Sequence, residues 1–366
     1  MINEKLNIYR NLQIHLDQFP IGLPATKSRI ELKVLKHVFT EEEAYLATKL
    51  DWSYKTLEDI HESVKNEDYS LQSLKNILES MIKKGTIKYK VEDGKKLYRN
   101  IPLVVGIFEY QVNKLTKEFL SDFEEYLLTA FGAEILGTKI FQFRTIPIEE
   151  SITPEHHIAN YDEIKYLIQN IKQPIGVANC ACRQAKDLFG EPCSKTDMRE
   201  TCLYFGKTGQ LFIDQGWARL ISTEEANHIL DQAQKDGLVF QSGNTIIPEF
   251  ICCCCGCCCQ ILSKLKTIPR PSRIVPGNFY AYIDSDKCIG CETCINRCQL
   301  NAIKIVDNNA EVILKRCIGC GLCVPSCPEQ AIQLEKKDQE KIPPQSKKDL
   351  YNQIMKKKQQ LRSKNK

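Results

Sequence analysis

Cys288-Ile-Gly-Cys291-Glu-Thr-Cys294-Ile-Asn-Arg-Cys298 and, eighteen residues on, Cys317-Ile-Gly-Cys320-Gly-Leu-Cys323-Val-Pro-Ser-Cys327-Pro328 lie near the C-terminal end of a chain of 366 residues. In each run three cysteines are two residues apart, and a fourth follows three residues later. A tight loop with this spacing wraps a cubane and offers three thiolates to three corner irons, while the fourth cysteine points away and serves the other cluster. One 4Fe-4S cluster is thus expected on Cys288, Cys291, Cys294 and Cys327, and a second on Cys317, Cys320, Cys323 and Cys298. Four-cysteine zinc sites use pairs of CxxC, so a duplicated triplet with a lone fourth cysteine reads against zinc.

Between the runs, Ala302-Ile-Lys-Ile-Val306 and Glu311-Val-Ile-Leu314 flank Asp307-Asn308-Asn309, the pattern of two short strands around a turn. Ala331-Ile-Gln-Leu334 echoes the first strand, so the segment is an internal repeat. Residues 279–337 resemble the two-cluster bacterial ferredoxin domain. One departure is local: Pro328 follows Cys327, whereas Gln299 stands at the matching place after Cys298.

The length exceeds a single small ferredoxin and suggests two or three domains. No apolar run reaches membrane-spanning length, and the first residues show neither an apolar core nor a small-residue cleavage site. A cytoplasmic protein without membrane association is expected. Nineteen cysteines without an export signal point to metal thiolates in a reducing, anaerobic cytoplasm and not to disulfides. The net charge of +4 hides a division: residues 338–366 form a basic tail, and from residue 336 onward eleven Lys or Arg face three Asp or Glu. The tail has Tyr351 as its one aromatic residue and reads as a solvated, partly helical end.

Residues 28–100 read as a helical unit closed by a hairpin. Leu32, Leu35, Val38 and Phe39 give one apolar face, and Thr40-Glu-Glu-Glu43 is a capping-box start. Thr56 and Ser70 cap two further helices; Gly85 stops the second, and Asp93-Gly94 makes a hairpin turn. The order resembles a winged-helix domain. Residues 71–100 carry eight Lys or Arg against three Asp or Glu, which would suit a phosphate backbone. Winged helices also serve as protein-docking modules, and nucleic acid is the less favoured partner.

Residues 101–170 read as a helical connector, with Phe108, Val112, Leu115, Phe119, Phe123, Tyr126 and Leu127 on one long amphipathic helix. His156 and His157 have no partner at ligand spacing and are read as non-ligands.

Residues 171–275 form a cysteine-rich region. Pro174–Cys180 reads as a buried strand entering a loop, and the loop carries Cys180-Ala-Cys182-Arg183, with Cys193 and Cys202 beyond. A capped helix and a strand then lead to Ile251-Cys-Cys-Cys-Cys-Gly-Cys-Cys-Cys259, seven cysteines in eight positions. Core packing would use Val or Ile, and adjacent cysteines rarely bridge one another. Gly256 lets the backbone fold back so that thiols on both sides converge. Cys180, Cys182, Cys193, Cys202, Cys252, Cys254, Cys255, Cys257, Cys258 and Cys259 are read as one shared thiolate site for one or two further centres, iron-sulfur being favoured over zinc.

The whole chain resembles a family of uncharacterised 4Fe-4S dicluster proteins of archaea and anaerobic bacteria. These join a winged-helix-like N-terminal part, a CxCR segment, a CCGCCC-type segment and a C-terminal two-cluster ferredoxin domain. Cys180-Ala-Cys182-Arg183, Cys202-Leu-Tyr-Phe-Gly206, Cys254-Cys-Gly-Cys-Cys-Cys259 and the last eight cysteines carry the likeness. It implies domain order and iron-sulfur binding and supplies no reaction. The expected fold is a multidomain α+β chain: a winged-helix-like unit, a cysteine-rich α/β middle region and a two-cluster ferredoxin fold. The expected role is electron transfer with a redox partner protein. A redox-sensing DNA-binding regulator and a catalytic oxidoreductase subunit are the alternatives. No GxGxxG follows a strand and no GxxxxGK[ST] is present, so neither a flavin nor a nicotinamide is indicated.

Overall fold

Thr40 accepts from the Glu43 backbone N–H while the Glu43 carboxylate accepts from that of Thr40, so helix Glu41–Ala47 opens on a complete capping box. Thr56 and Asp59 repeat the device for Leu57–Glu62, and Ser70 caps Leu71–Lys84, which ends at Gly85 with φ +80°. These helices belong to a unit formed by Met1–Thr138 and Tyr351–Lys366; Lys139–Leu350 forms a second unit. The computed structural model describes residues 2–153 and 158–364. His156 and His157 lie outside the described residues.

In the first unit, helices Ile30–Val38, Glu41–Ala47, Leu57–Glu62 and Leu71–Lys84 accompany a three-stranded antiparallel sheet whose first strand lies between the second and third of them. Its strands are β1 (Lys55–Thr56), β2 (Ile87–Glu92) and β3 (Lys95–Asn100), in the order β1-β3-β2. Asp93 and Gly94 join β2 to β3 with φ of 50° and 73°, the double left-handed turn that matches strand twist. The single long helix expected from Phe108 to Leu127 is instead broken. A short turn, Phe108–Tyr110, is separated from Lys117–Tyr126 by a segment in which Asn113 has φ 64°, and Thr116 caps the second piece. The apolar period continues across the gap because both pieces bury the same kind of face, Phe108 stacking on Phe123. The C-terminal tail forms helix Lys347–Lys364, with Leu350, Tyr351 and Ile354 buried.

The second unit is built on a six-stranded sheet of β4 (Phe143–Ile146), β5 (Ile175–Asn179), β6 (Glu200–Phe205), β7 (Ala218–Ile221), β8 (Val239–Gly243) and β9 (Phe250–Cys254). The order is β4-β8-β9-β6-β5-β7 and each pairing is antiparallel. The expected α/β middle region is thus corrected: its helices attach to an antiparallel sheet, with no parallel pair among the described residues. The connector read at 101–170 divides, Lys139 onward supplying β4 and helix Ile164–Asn170 to this unit. β5 runs straight into helix Ala181–Leu188, so Cys180 is a helix N-cap and not a loop residue. The cysteine run, read without secondary structure, begins as the edge-to-edge partner of β6: Cys252 stands opposite Cys202.

The same unit holds two small antiparallel ribbons. β10 (Phe279–Ile283) pairs with β13 (Ile332–Lys336), and β11 (Ile303–Val306) pairs with β12 (Asn309–Val312) around Asp307-Asn308. Phe279, Ala281, Ile303, Ala310, Ile332 and Leu334 form their common core with Cys294 and Cys323.

A buried ion pair joins β4 to the segments beside it. Arg144 and Asp162, each 1% exposed, pair directly, and Asn278 donates to the other Asp162 oxygen at 2.7 Å. Removing one partner leaves an uncompensated charge out of water. Arg144→Ala is expected to lower stability by about 3–5 kcal/mol, read as an earlier midpoint in chemical denaturation followed by circular dichroism.

Candidate metal centres

In the ribbon region Cys288, Cys291, Cys294 and Cys327 line one cavity, and Cys298, Cys317, Cys320 and Cys323 line another. Each set takes three cysteines from one loop and the fourth from the other. Backbone N–H groups point at sulfur, among them Ala302 to Cys298 at 3.2 Å, Ala331 to Cys327 at 3.3 Å, Ala310 to Cys288 at 3.3 Å and Ala281 to Cys317 at 3.4 Å. The first two link residues four apart at matching points of the repeat. Donors of this kind stabilise negative charge on sulfur and tune a bound cluster's potential. Burial pushes the free thiols up, Cys294 to about 11 and Cys320 to about 12. Cys291 is exposed, and a bond from Thr293 draws its thiol below the ordinary value. An all-thiol donor set with N–H groups directed at it fits two iron-sulfur clusters.

The two loops differ in exposure. Ile289, in the first, is 64% exposed, whereas Ile318, its counterpart in the second, is 5% exposed. One reason is that the Ile148 N–H donates to the Cys320 carbonyl at 3.1 Å, holding the second loop against the chain beyond β4.

These features define the region as a two-cluster ferredoxin-type domain. Residues 281–334 match a family model described as 4Fe-4S dicluster domain, and residues 316–359 match a second model with the same description. No curated protein and no solved structure matches the chain.

The middle cysteines, read from sequence as one shared site, fall into two sets. Cys193, Cys255, Cys257 and Cys258 have sulfurs that all lie within 4.8 Å of one another. Cys193 is 3.6 Å from Cys255 and 3.7 Å from Cys257, and Cys257 is 3.6 Å from Cys258. A tetrahedral ion with metal–sulfur bonds of about 2.3 Å sets its sulfurs about 3.8 Å apart, so this tetrad fits a single zinc or iron ion. A cubane would spread its ligands further, one to each corner. The bond from Cys258 is the main reason that the Cys255 thiol falls to about 5.

The other six form a ring. Cys180 neighbours Cys182 and Cys202, Cys202 neighbours Cys252, Cys252 neighbours Cys254, Cys254 neighbours Cys259, and Cys259 closes on Cys182. Strand alternation places Cys252 and Cys254 on one face of β9, and the register sets Cys202 beside them. Cys180 and Cys182 come from the helix start, and Cys259 returns after the turn, its sulfur accepting from the Leu262 N–H at 3.4 Å. Bonds from Cys182 and its other ring neighbours hold Cys180 and Cys259 well below the usual thiol range; Cys182, Cys202, Cys252 and Cys254 lie well above it. Cys253 alternates to the opposite face of β9, belongs to neither set, and burial pushes it up to about 12.

Arg183 stands between the sets. Its side chain is fully buried, donates to Thr201 and to the Cys253 carbonyl, and is bonded to Cys193. Burial opposes its charge, but Cys180 and Cys255 reverse the effect and hold the guanidinium more firmly protonated than usual. One residue outside those expected from the sequence, Gln299, also shapes the region. Gln299 receives the Gly256 N–H on Oε1 at 2.8 Å and donates to the Gly237 carbonyl at 2.8 Å. A Cβ on Gly256 would stand 2.6 Å from the Gln299 carbonyl oxygen, so only glycine fits. The one sequence signal for Gln299 was its place where the repeat elsewhere has proline.

Cys291→Ser is expected to lower iron content and quench one of two interacting paramagnetic signals, whereas Cys253→Ser leaves metal content unchanged. Metal analysis with paramagnetic resonance on anaerobically isolated protein checks both.

Proposed function

We propose that the chain is an iron-sulfur electron-transfer protein, acting with a redox partner protein and carrying a further metal ion in the tetrad Cys193, Cys255, Cys257 and Cys258. The observation that carries this reading is the pair of four-cysteine cavities within the 4Fe-4S dicluster match, each with N–H donors on its sulfurs. Bound clusters supply one-electron chemistry, because delocalised iron valence changes charge with little ligand movement. Cys288, Cys291, Cys294 and Cys327 would hold one, and Cys317, Cys320, Cys323 and Cys298 the other.

The chain's own residues give this role a direction. Exposed Ile289 and Cys291 offer an apolar surface beside the first set, where a partner can approach. The second set faces inward. From Cys298, the peptide bond to Gln299 and one hydrogen bond reach Gly256, whose chain neighbours are Cys255 and Cys257. The second thiol set and the tetrad are therefore joined by covalent bonds and a single hydrogen bond.

Residues 30–100, with four helices, a hairpin and a short third strand, support the winged-helix reading. Its basic side chains are largely committed within the unit. Lys84 pairs with Glu43, Lys90 with Glu92 and Lys96 with Glu79; Lys88 is buried, and Arg99 lies over Tyr54. Such engagement favours a protein-docking module over a phosphate-reading surface. Protein isolated without oxygen is expected to be brown, to contain acid-labile sulfide, and to show two interacting reduced-cluster signals. Colourless protein without sulfide would overturn the reading. Duplex DNA is expected not to bind at low salt in a gel-shift titration; salt-sensitive binding would favour the regulator instead.

A further inference from the structure

We infer that the ring of Cys180, Cys182, Cys202, Cys252, Cys254 and Cys259 is a separate site for a polynuclear iron-sulfur centre, distinct from the tetrad's single ion. The inference rests on the proposed thiolate chemistry of the middle region and goes beyond it in number and kind of centre.

Number comes first. A tetrahedral ion takes four thiolates, and structural zinc sites are closed at four. A ring of six exceeds that by two, and the surplus would be buried thiols facing a metal without binding it. Six sulfurs on one divalent ion would also concentrate negative charge in a site where Cys180, Cys202, Cys254 and Cys259 are all buried. Several irons linked by inorganic sulfide divide six thiolates among them, each iron remaining four-coordinate.

Position is the second ground. The six come from four backbone segments: the start of a helix, β6, β9 and the chain after the Gly256 turn. Four of them are fixed by regular structure, so the ring is preformed. The Cys180–Cys182 end sits at the N-terminus of helix Ala181–Leu188, where the helix dipole favours negative charge.

The third ground is Arg183. Arg183 follows Cys182 in the chain; its fully buried guanidinium supplies positive charge to an anionic centre, and its Nε has no hydrogen-bond partner among the described residues. A buried donor left over once the thiols and backbone have been satisfied calls for an acceptor that the chain does not provide. Cluster sulfide is such an acceptor.

The test is anaerobic reconstitution of the full chain with ferrous iron and sulfide, then iron, zinc and sulfide counts per chain for the natural sequence, Cys252→Ser, Cys259→Ser, Cys257→Ser and the Cys252→Ser/Cys257→Ser double variant. Cys252→Ser and Cys259→Ser, at separate points of the ring, are each expected to lose more than one iron together with sulfide, while the ferredoxin-type paramagnetic signals persist. Cys257→Ser is expected to lose one metal ion and no sulfide, and the double variant to lose the sum. Unchanged metal in both ring variants, loss of a single ion, loss of zinc, or, where Cys257→Ser does lose an ion, a double variant that loses no more than Cys252→Ser would each overturn the inference. An unchanged count in Cys257→Ser alone would sink the tetrad reading and leave the ring standing. Native mass spectrometry of the reconstituted natural chain gives the answer without a substitution: a mass matching two cubanes plus one ion would also overturn the ring.

Discussion

Thiolates buried beside one another repel, and only a cation placed among them makes their company stable. The second unit gathers all but one of its cysteines into four groups of neighbouring thiols: two cavities among the ribbons, one tetrad and one ring. Much of the surrounding structure follows from that constraint. Backbone N–H groups turn toward sulfur at Ala281, Ala302, Ala310, Ala331 and Leu262, and the fully buried Arg183 follows Cys182 and is bonded to Cys193. A core built of Val or Ile would need none of these.

How much of this was legible in the residues depended on whether the signal was local. The spacing of the last eight cysteines could be read directly, because three thiolates in one loop are a matter of a few consecutive bonds. Caps at Thr40, Thr56 and Ser70, and the Asp93-Gly94 turn, are local in the same sense. The middle cysteines were visible as a group but not as two. Their separation is decided by the pairing of β6 with β9 and by strand alternation, which put Cys252 and Cys254 on one side and Cys253 on the other. That pairing joins residues some fifty positions apart, a distance at which sequence periodicity says nothing. The long helix expected at Phe108–Leu127 failed for a related reason: its apolar spacing survives a break that left-handed Asn113 imposes.

Gln299 shows how a local irregularity can have a distant cause. The repeat has proline after Cys327 and glutamine after Cys298. A proline side chain has no polar group, so at residue 299 it could neither accept from the Gly256 N–H nor donate to the Gly237 carbonyl. The side chain is thus fixed by contacts with the sheet and its turn and not by the cysteine that it follows.

Duplicated sequence ordinarily yields equivalent halves. Here the second loop is fastened through Ile148 while the first is left open to solvent at Ile289. The doubled sequence has in this way acquired two unlike faces, and whatever approaches from solvent meets the first set of cysteines before the second.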